Sequence, residues 1–379
     1  MTSSSFHPDR YRPLFSFLKH GTIFLDHAAI GPVPEPTRKA IELYLHRRSE
    51  SDINVFQSFL KVHAQTKQRI GALINAPAER IAFCDNTSHG LNILAAGFPW
   101  KTGDRVLLTD VEFPANVYPF LNQKRHGVEI DFVKCRDNRI HLEDIERGLT
   151  PKTRVLSISY VQFLNGFRSD LTAIGALCRR KNVLLSVDAI QGAGAVPIDV
   201  QTMNIDFLAC GSQKWLLNTE GTAFVYVSEE TQEKVQQAYL GWLSINDFFN
   251  EFFRYRLDLD ATARRYEGGT LNVAGIIGLN ESLAILLEAG IPQITHHLAD
   301  LTGLCIKRLK SEKVELLTSD LPAERAGIVS FRPQNAQAIF EKLKTRNIIV
   351  SLREGCIRLS PHFYNTREEI AVALDAAFG

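Results

Sequence analysis

The chain has 379 residues, more than a single hydrophobic core usually supports, so we expect two domains. Its formal net charge is +1 and 22% of its residues are charged, which gives no electrostatic signature of nucleic-acid or membrane-surface binding. No run approaches the roughly 20 apolar residues of a membrane-spanning helix.

The cysteine pattern and the first residues suggest a location. The six cysteines are scattered and include no CxxC pair, which favours free thiols over a disulfide framework or a zinc site. The first residues, MTSSSFHPDRYRPLF, lack the apolar core of a secretory signal. The histidines form no HxxxH or HExxH motif. We therefore expect a cytoplasmic protein with no metal site.

From about residue 80, short β-rich runs alternate with helical stretches. The predicted strands are residues 105–108, 128–133, 154–158 and 183–187, and a predicted helix covers residues 171–181. Alternating β and α units predict a mainly parallel sheet with helices on both faces. In such sheets the ligand lies beyond the carboxyl ends of the strands, so the residues that follow each strand are the candidates for chemistry.

A second pattern begins near residue 263. Helices are predicted over residues 273–289, 291–310 and 336–346, with strand-like runs at 327–331, 348–352 and 356–359. Thr366 and Glu369 form the capping box of a last helix. We predict an N-terminal segment (1–20) that packs on the small domain, a large domain (21–262) and a smaller α+β domain (263–379).

Polar and aromatic residues follow five of the predicted strands. They are Thr87 and Ser88 at a helix start after residues 81–83, Phe113 after 105–108, Tyr160 and Gln162 after 154–158, Asp188 with Gln191 after 183–187, and Lys214 in GSQKWLL after 206–210. Each has a structural explanation, as a cap, a core ring or an ion pair, and only Lys214 favours chemistry by itself. Together they fit one ligand. A helix start binds phosphate, a ring covers a heterocycle, a carboxylate holds a pyridine nitrogen protonated and an amine forms a Schiff base. That ligand is pyridoxal 5′-phosphate (PLP).

Longer motifs carry a family resemblance over nearly the whole chain. They are FLDHAAIGP (24–32), SVDAIQGAG (186–194), the Lys214 segment 26 residues after Asp188, EGGTLN (267–272) and IRLSPHFYNT (357–366). With these motifs the chain resembles the class V aminotransferase family of fold type I PLP enzymes, which includes cysteine desulfurases, selenocysteine lyases, isopenicillin N epimerases and kynureninases. The resemblance implies an α/β fold with a mainly parallel large domain and a smaller C-terminal domain.

The resemblance also implies a role for each motif residue. Lys214 would hold PLP as the internal aldimine and move the proton at the substrate Cα, and Asp188 would stay ionised beside the pyridinium nitrogen. Gln191 would bond to the ring hydroxyl of the cofactor, and Phe113 would stack on the ring face. The cofactor phosphate would be held by Thr87, Ser88 and Gln213, and in a homodimer Thr270 would reach the phosphate bound by the partner subunit. Arg358 would bind the carboxylate of a small amino-acid substrate.

Some positions depart from the common family pattern. Gln213 and Gly211 replace a frequent His and Ser, and Phe163 replaces a frequent Asn, so that Gln162 or Asn165 could substitute for it. Cys356 is a candidate for the nucleophilic cysteine of desulfurases, although we predict that it lies in a strand rather than on a flexible loop.

Several functions stay open at this point. Transamination, lyase chemistry including sulfur or selenium removal with Cys356, and epimerisation all fit these residues. The alternative class is a non-catalytic protein that uses the fold for binding, which the intact set of Lys214, Asp188, Gln191 and Arg358 argues against.

Overall fold

The computed structural model describes residues 6–247, 249–250 and 253–379. The strands are β1 (Ile23–Phe24), β2 (Ile81–Cys84), β3 (Arg105–Thr109), β4 (Glu129–Val133), β5 (Thr153–Ser159), β6 (Leu184–Asp188), β7 (Phe207–Gly211), β8 (Ala223–Val227), β9 (Glu315–Leu316), β10 (Val329–Arg332), β11 (Ile348–Ile349), β12 (Ser351–Arg353) and β13 (Cys356–Leu359). The helices are α1 (Glu35–Glu50), α2 (Phe56–Ile74), α3 (Thr87–Gly97), α4 (Tyr118–Leu121), α5 (Leu142–Gly148), α6 (Leu171–Lys181), α7 (Glu229–Lys234), α8 (Val273–Ala289), α9 (Ile291–Ser311), α10 (Ala336–Thr345) and α11 (Arg367–Phe378).

The main sheet has seven strands in the order β2-β8-β7-β6-β5-β3-β4. β8 runs antiparallel to both of its neighbours, and the other pairs are parallel. This confirms the predicted parallel-dominated sheet. The central strands β7 and β8 are buried along their whole length, as expected for strands covered on both faces. Because β2, β3, β5, β6 and β7 point the same way, the segments that follow them meet at one edge.

The C-terminal part carries a second, antiparallel sheet in the order β12-β13-β10-β9. Its apolar side packs with α9, α10 and α11 in a separate core that includes Leu301, Phe331, Leu343, Ile357 and Leu374. The predicted capping box forms at the start of α11, where Thr366 and Glu369 bond to each other's backbone N–H. The predicted elements of this region are therefore present.

The N-terminal segment is tied to the C-terminal part of the chain. β1 pairs in parallel with β11. The Arg12 guanidinium donates to the carbonyl of Tyr364 (3.0 Å) and forms an ion pair with Glu369 (2.8 Å). The rings of Phe15 and Tyr364 lie 3.9 Å apart between centroids. These contacts place residues 8–20 against the segment that carries the last family motif.

The helices give no strong sign of a membrane span. In the described ranges no single helix has both the length and the apolar character to cross a bilayer. α8 and α9 satisfy that test only when taken together, as a pair bent by 75°. Much of α8 is buried in the protein, including Ile276, Leu279, Leu283 and Leu286, so its apolar character is accounted for by core packing.

Candidate active site

A cavity of about 250 Å³ lies at the carboxyl edge of the main sheet. The segments after β2, β3, β5, β6 and β7 contribute to its wall, and the β12–β13 hairpin of the second sheet lines it through Arg353 and Arg358. The lining residues are Ala28, Ala29, Asn86, Thr87, Ser88, Phe113, Ala115, Phe163, Asp188, Ile190, Gln191, Gln213, Lys214, Arg353 and Arg358. Seven of the eight predicted cofactor positions, together with Arg358, therefore lie around one cavity.

The loop that carries Lys214 is held by close backbone contacts. The N–H of Gly31 donates to the carbonyl of Gln213 (2.7 Å), and a Cβ at Gly31 would lie 2.1 Å from the carbonyl oxygen of Lys214. Glycine is therefore required at position 31 of the first motif. Downstream, the N–H of Leu217, which has a positive φ of 56°, donates to the carbonyl of Lys214 (3.1 Å).

The Lys214 amine is prepared for chemistry by its surroundings. Burial lowers its pKa to about 8, while Asp188 opposes that change and Arg358 and Arg353 add to it. The amine lies 5.6 Å from the centroid of the Phe113 ring. At mildly alkaline pH a substantial fraction of the amine is therefore uncharged, as a nucleophile or proton acceptor requires.

Asp188 is a buried carboxylate that forms no ion pair with any described residue. Its side chain is 2% exposed, and one oxygen accepts the N–H of Ile190 (3.0 Å). Burial raises its pKa to about 7; the Ile190 bond and Lys214 oppose that rise and the charge of Glu112 adds to it. A protonated ring nitrogen is the kind of cation that would stabilise this charge.

The Gln191 amide has a defined orientation. Its Nε2 donates to the carbonyl of Ala28 (2.9 Å), and its Oε1 accepts the indole N–H of Trp215 (2.8 Å). Phe113 is 40% exposed and forms an edge contact with Phe163, whose ring centroid lies 5.2 Å away. An amide and an exposed aromatic face thus border the same space as Lys214 and Asp188.

The start of α3 forms the end of the cavity suited to an anion. Asn86 caps the helix by accepting the N–H of His89 (2.8 Å), and Thr87 and Ser88 supply the first helical N–H groups, which have no acceptor within the helix. The Thr87 hydroxyl accepts the N–H of Gly211 (2.9 Å). A Cβ at Gly211 would lie 2.6 Å from the Gln213 amide oxygen, so the glycine makes room for that side chain.

Arg358 reaches the cavity from β13. Its guanidinium is 1% exposed and donates to the carbonyl of Phe163 (2.7 Å) and to the hydroxyl of Ser351 (3.1 Å). Asp26 lies 3.5 Å from it, and the Arg358 Nε is buried without a hydrogen-bond partner among the described residues. Burial lowers the pKa of Arg358 to about 10, so it stays a cation at neutral pH. Such a group fits a substrate carboxylate.

The donor set therefore fits PLP: an amine with a lowered pKa, an unpaired carboxylate, an aromatic face and a helix start. The sequence profile described as Aminotransferase class-V matches residues 23–372. The chain belongs to the class-V aminotransferase family. It is a PLP-dependent enzyme of fold type I.

Relatives in the class-V aminotransferase family match along almost the full length. An uncharacterized aminotransferase, YcbU of Bacillus subtilis, is 28% identical, covering 97% of this chain and 96% of its own. A probable cysteine desulfurase of Borreliella burgdorferi is 30% identical, covering 92% of this chain and 89% of its own.

A solved relative shows the cofactor. C-DES, described as a cystine C-S lyase, is 25% identical to this chain in two structures. One is a lysine-to-alanine variant with glycine covalently linked to the PLP cofactor (TM-score 0.88, covering 97% of this chain and 99% of that one). The other holds the reaction product cysteine persulfide (TM-score 0.86, 94% and 98%).

Thr270 is exposed and lies outside this cavity, beside a second hollow of about 440 Å³, so its contact with a partner subunit stays a prediction. Two other sequence-based suggestions differ from what the structure shows. Neither Gln162 nor Asn165 lines the cavity, because the Gln162 amide donates to Glu112 (2.9 Å) and the Asn165 amide donates to the carbonyl of Asn138 (2.9 Å). Phe163 fills that wall instead.

Cys356 is in β13, as predicted, but does not line the cavity. The β12–β13 hairpin closes through Glu354 and Gly355, both with positive φ, so no flexible loop carries the thiol. Burial raises the pKa of Cys356, against the effect of the neighbouring Arg332. The short thiol stays near Arg332 while the long Arg358 side chain reaches the cavity.

Arg353 is a lining residue that sequence reasoning missed. It is exposed at the end of β12, beside the cavity opening. The only signal was its position five residues before Arg358, at a hairpin turn whose geometry the sequence did not show.

Proposed function

We propose that this enzyme is a lyase that cleaves the bond between Cβ and sulfur in a small sulfur-containing amino acid. The observation that carries the proposal is the composition of the cavity. Lys214, Asp188 and Arg358 line it, whereas no cysteine of the described residues does. The names of the C-DES and desulfurase relatives support a sulfur-containing substrate.

The cysteines of the described chain are poorly suited to accept sulfur. Five are buried, and Cys135 is partly buried. Burial raises the pKa of each of these thiols, to about 11 for the partly buried Cys135. A thiol attacks as the thiolate, so none of them is prepared as a nucleophile. We therefore propose that the enzyme releases the sulfur to solvent.

The residues divide the reaction between them. Arg358 binds the substrate carboxylate and so orients Cα toward the Lys214 amine, which accepts the Cα proton. Asp188 holds a proton on the cofactor's ring nitrogen. PLP, when bound, supplies an electron sink for the charge that develops at Cα.

The proposed step is redox-neutral. The Cα–H and Cβ–S bonds break, a Cα=Cβ double bond forms, and sulfur leaves with the electron pair of its bond. Hydrolysis by water then yields ammonium and a three-carbon 2-oxo acid. By contrast, transfer of sulfur to a protein thiol would leave alanine, and transamination would leave a 2-oxo acid that keeps its sulfur.

Product analysis tests the proposal. The holoenzyme is incubated with cysteine and with cystine, and pyruvate, ammonium, alanine and the enantiomers of the substrate are quantified. We expect pyruvate and ammonium in equal amounts. Alanine as the main product would establish a desulfurase; a sulfur-containing 2-oxo acid formed only with an amino acceptor, or racemised substrate, would establish a transaminase or an epimerase.

Two variants complete this test. Lys214→Ala should abolish turnover and the borohydride-reducible cofactor signal while the protein stays folded. Cys356→Ala should keep at least half of the wild-type pyruvate formation. Loss of sulfur release in Cys356→Ala, with normal substrate binding, would contradict the proposal and restore the thiol to a catalytic role.

We also propose that the working unit is a homodimer in which Thr270 reaches the cofactor phosphate of the partner subunit. Thr270 is exposed beside a hollow lined by apolar rings such as Phe56 and Phe59. Two large apolar side chains that lie close in sequence to the residues lining this hollow are strongly exposed, Ile53 by 73% and Leu257 by 80%. Such side chains suit burial against a second copy of the chain. Light scattering gives the oligomeric state; a monomer with full PLP affinity would contradict this assignment.

A further inference from the structure

Glu112, one residue before Phe113, is a buried carboxylate at the end of the loop that follows β3. It is 8% exposed and pairs with no cation of the described chain. Instead it accepts hydrogen bonds from four residues: Thr109 Oγ1 (2.8 Å), Asn116 Nδ2 (3.0 Å), Gln162 Nε2 (2.9 Å), and both the N–H (3.0 Å) and the hydroxyl (2.5 Å) of Ser159. Charge-assisted bonds of this kind are about twice as strong as neutral ones.

These donors come from two adjacent strands and the segments that follow them. Thr109 ends β3 and Ser159 ends β5, so the carboxylate joins the two strand ends at the edge where the cavity opens. On the other side of Phe113, the N–H of Asn116 donates to the Phe113 carbonyl (2.9 Å), and the Asn116 amide oxygen accepts the Ser157 hydroxyl (2.6 Å). The backbone of Phe113 is therefore fixed on both sides.

Phe113 needs such support, because its own side chain has few restraints. It is 40% exposed, and a ring that stacks on a planar cofactor must be parallel to it and in contact with it. Its position must then come from the backbone. A buried carboxylate stabilises a fold less well than a neutral or apolar side chain of similar size. Its role at position 112 is therefore better explained by the precise position it gives to the Phe113 loop.

We propose that Glu112 is a positioning residue for PLP, which acts by fixing the loop that holds Phe113 over the cofactor ring. It does not touch the cofactor, since it is not among the residues that line the cavity. This role is independent of which amino acid is the substrate and of the proposed lyase reaction.

The test compares Glu112→Gln with the wild type. The variant keeps the shape but replaces one acceptor oxygen by an amide donor. That donor faces either the Asn116 amide, at the Oε2 position, or the Gln162 amide, at the Oε1 position. We expect the PLP dissociation constant to rise about tenfold, equivalent to about 1.4 kcal/mol. We also expect the visible circular dichroism per bound PLP to fall by about half, because that signal depends on ring orientation.

Asp206→Asn is the matched control. Asp206 is a carboxylate that directly precedes β7, at the amino-terminal ends of the strands and so away from the cavity, and it accepts the N–H of Leu185 (2.8 Å). We expect it to change the melting temperature without changing either cofactor signal. The proposal is overturned if Glu112→Gln likewise changes only the melting temperature, since Glu112 would then be a purely structural residue.

Two further variants guard against a Glu112→Gln protein that does not fold. Ser159→Ala removes one donor and keeps the backbone N–H, so it should reduce the dichroism per bound PLP in the same direction by a smaller amount; an unchanged signal in that variant overturns the proposal. In a Phe113→Ala background, Glu112→Gln should no longer change the dichroism, because the ring it positions is absent.

Discussion

The indole N–H of Trp215 donates to Oε1 of Gln191 over 2.8 Å, and this contact defines the orientation of the Gln191 amide. An indole is only a donor and the Ala28 carbonyl only an acceptor, so the oxygen must face Trp215 and the nitrogen must face Ala28. One N–H of Gln191 is then not used by the Ala28 contact, in a side chain that borders the cavity. The residue after Lys214 thus orients a second predicted cofactor contact.

Trp215→Phe tests this relationship. The variant leaves a buried amide oxygen without its donor and removes volume from a fully buried site. We therefore expect the free energy of unfolding to fall by about 2–4 kcal/mol. The absorption spectrum of bound PLP should also change. Trp100→Phe, which loses an indole bond to the Ala95 carbonyl (2.7 Å) away from the cavity, should leave the spectrum unaltered.

Asp188→Asn should have opposite effects on the apo and PLP-bound proteins. Burial raises the pKa of Asp188 to about 7, so the folded apo protein binds a proton that the unfolded chain has released. Its contribution to stability is therefore present at acid pH and is lost as pH rises from about 4 to 7. At pH 8 the apo variant should melt above apo wild type, while its affinity for PLP falls; an apo variant that melts lower would contradict the account.

The rate at which PLP attaches to the apo protein should depend on the Lys214 amine. Burial lowers its pKa to about 8, and only the uncharged amine attacks an aldehyde. The rate should rise with pH to a midpoint near 8, which stopped-flow absorbance can measure. The same lowered pKa affects the stability of the apo protein. Lys214 has a lower pKa in the folded protein than in the unfolded chain, where it is near 10.5, so its contribution to stability is lost as the pH falls from about 10.5 to about 8. A midpoint near 10 would show that the amine is solvated.

Arg358→Lys should chiefly raise the KM for the amino acid. Lysine keeps the charge but loses the planar fork that binds a carboxylate with two hydrogen bonds, and we expect a rise of about 10- to 100-fold. Arg353→Lys, at the exposed edge of the cavity, is the matched control and should change KM less. Equal effects of the two variants would move the carboxylate site to the cavity opening.

Local patterns were sufficient for the framework of the site. Alternation of β runs and helices predicts a parallel sheet whose strand ends converge, and that convergence brings Lys214, Asp188, Gln191 and Phe113 to one cavity. These residues lie at the carboxyl ends of their strands or within four residues of them, so strand direction already brings them to the same edge of the sheet.

Other features depend on contacts between distant segments. Cys356 and Arg358 lie two residues apart and so share one face of β13, yet only the long guanidinium reaches the cavity. The tight turn at Glu354–Gly355, which keeps the thiol off a flexible loop, is set by the register of the hairpin. Gln162 turns to Glu112 because a buried carboxylate 50 residues earlier needs donors. The sequence by itself determined the fold class, the cofactor, and the presence of Lys214 and Asp188 at one edge of the sheet. Only the tertiary structure decided which neighbouring side chains face that cavity, because reach, register and hydrogen-bond competition act between segments far apart in the chain.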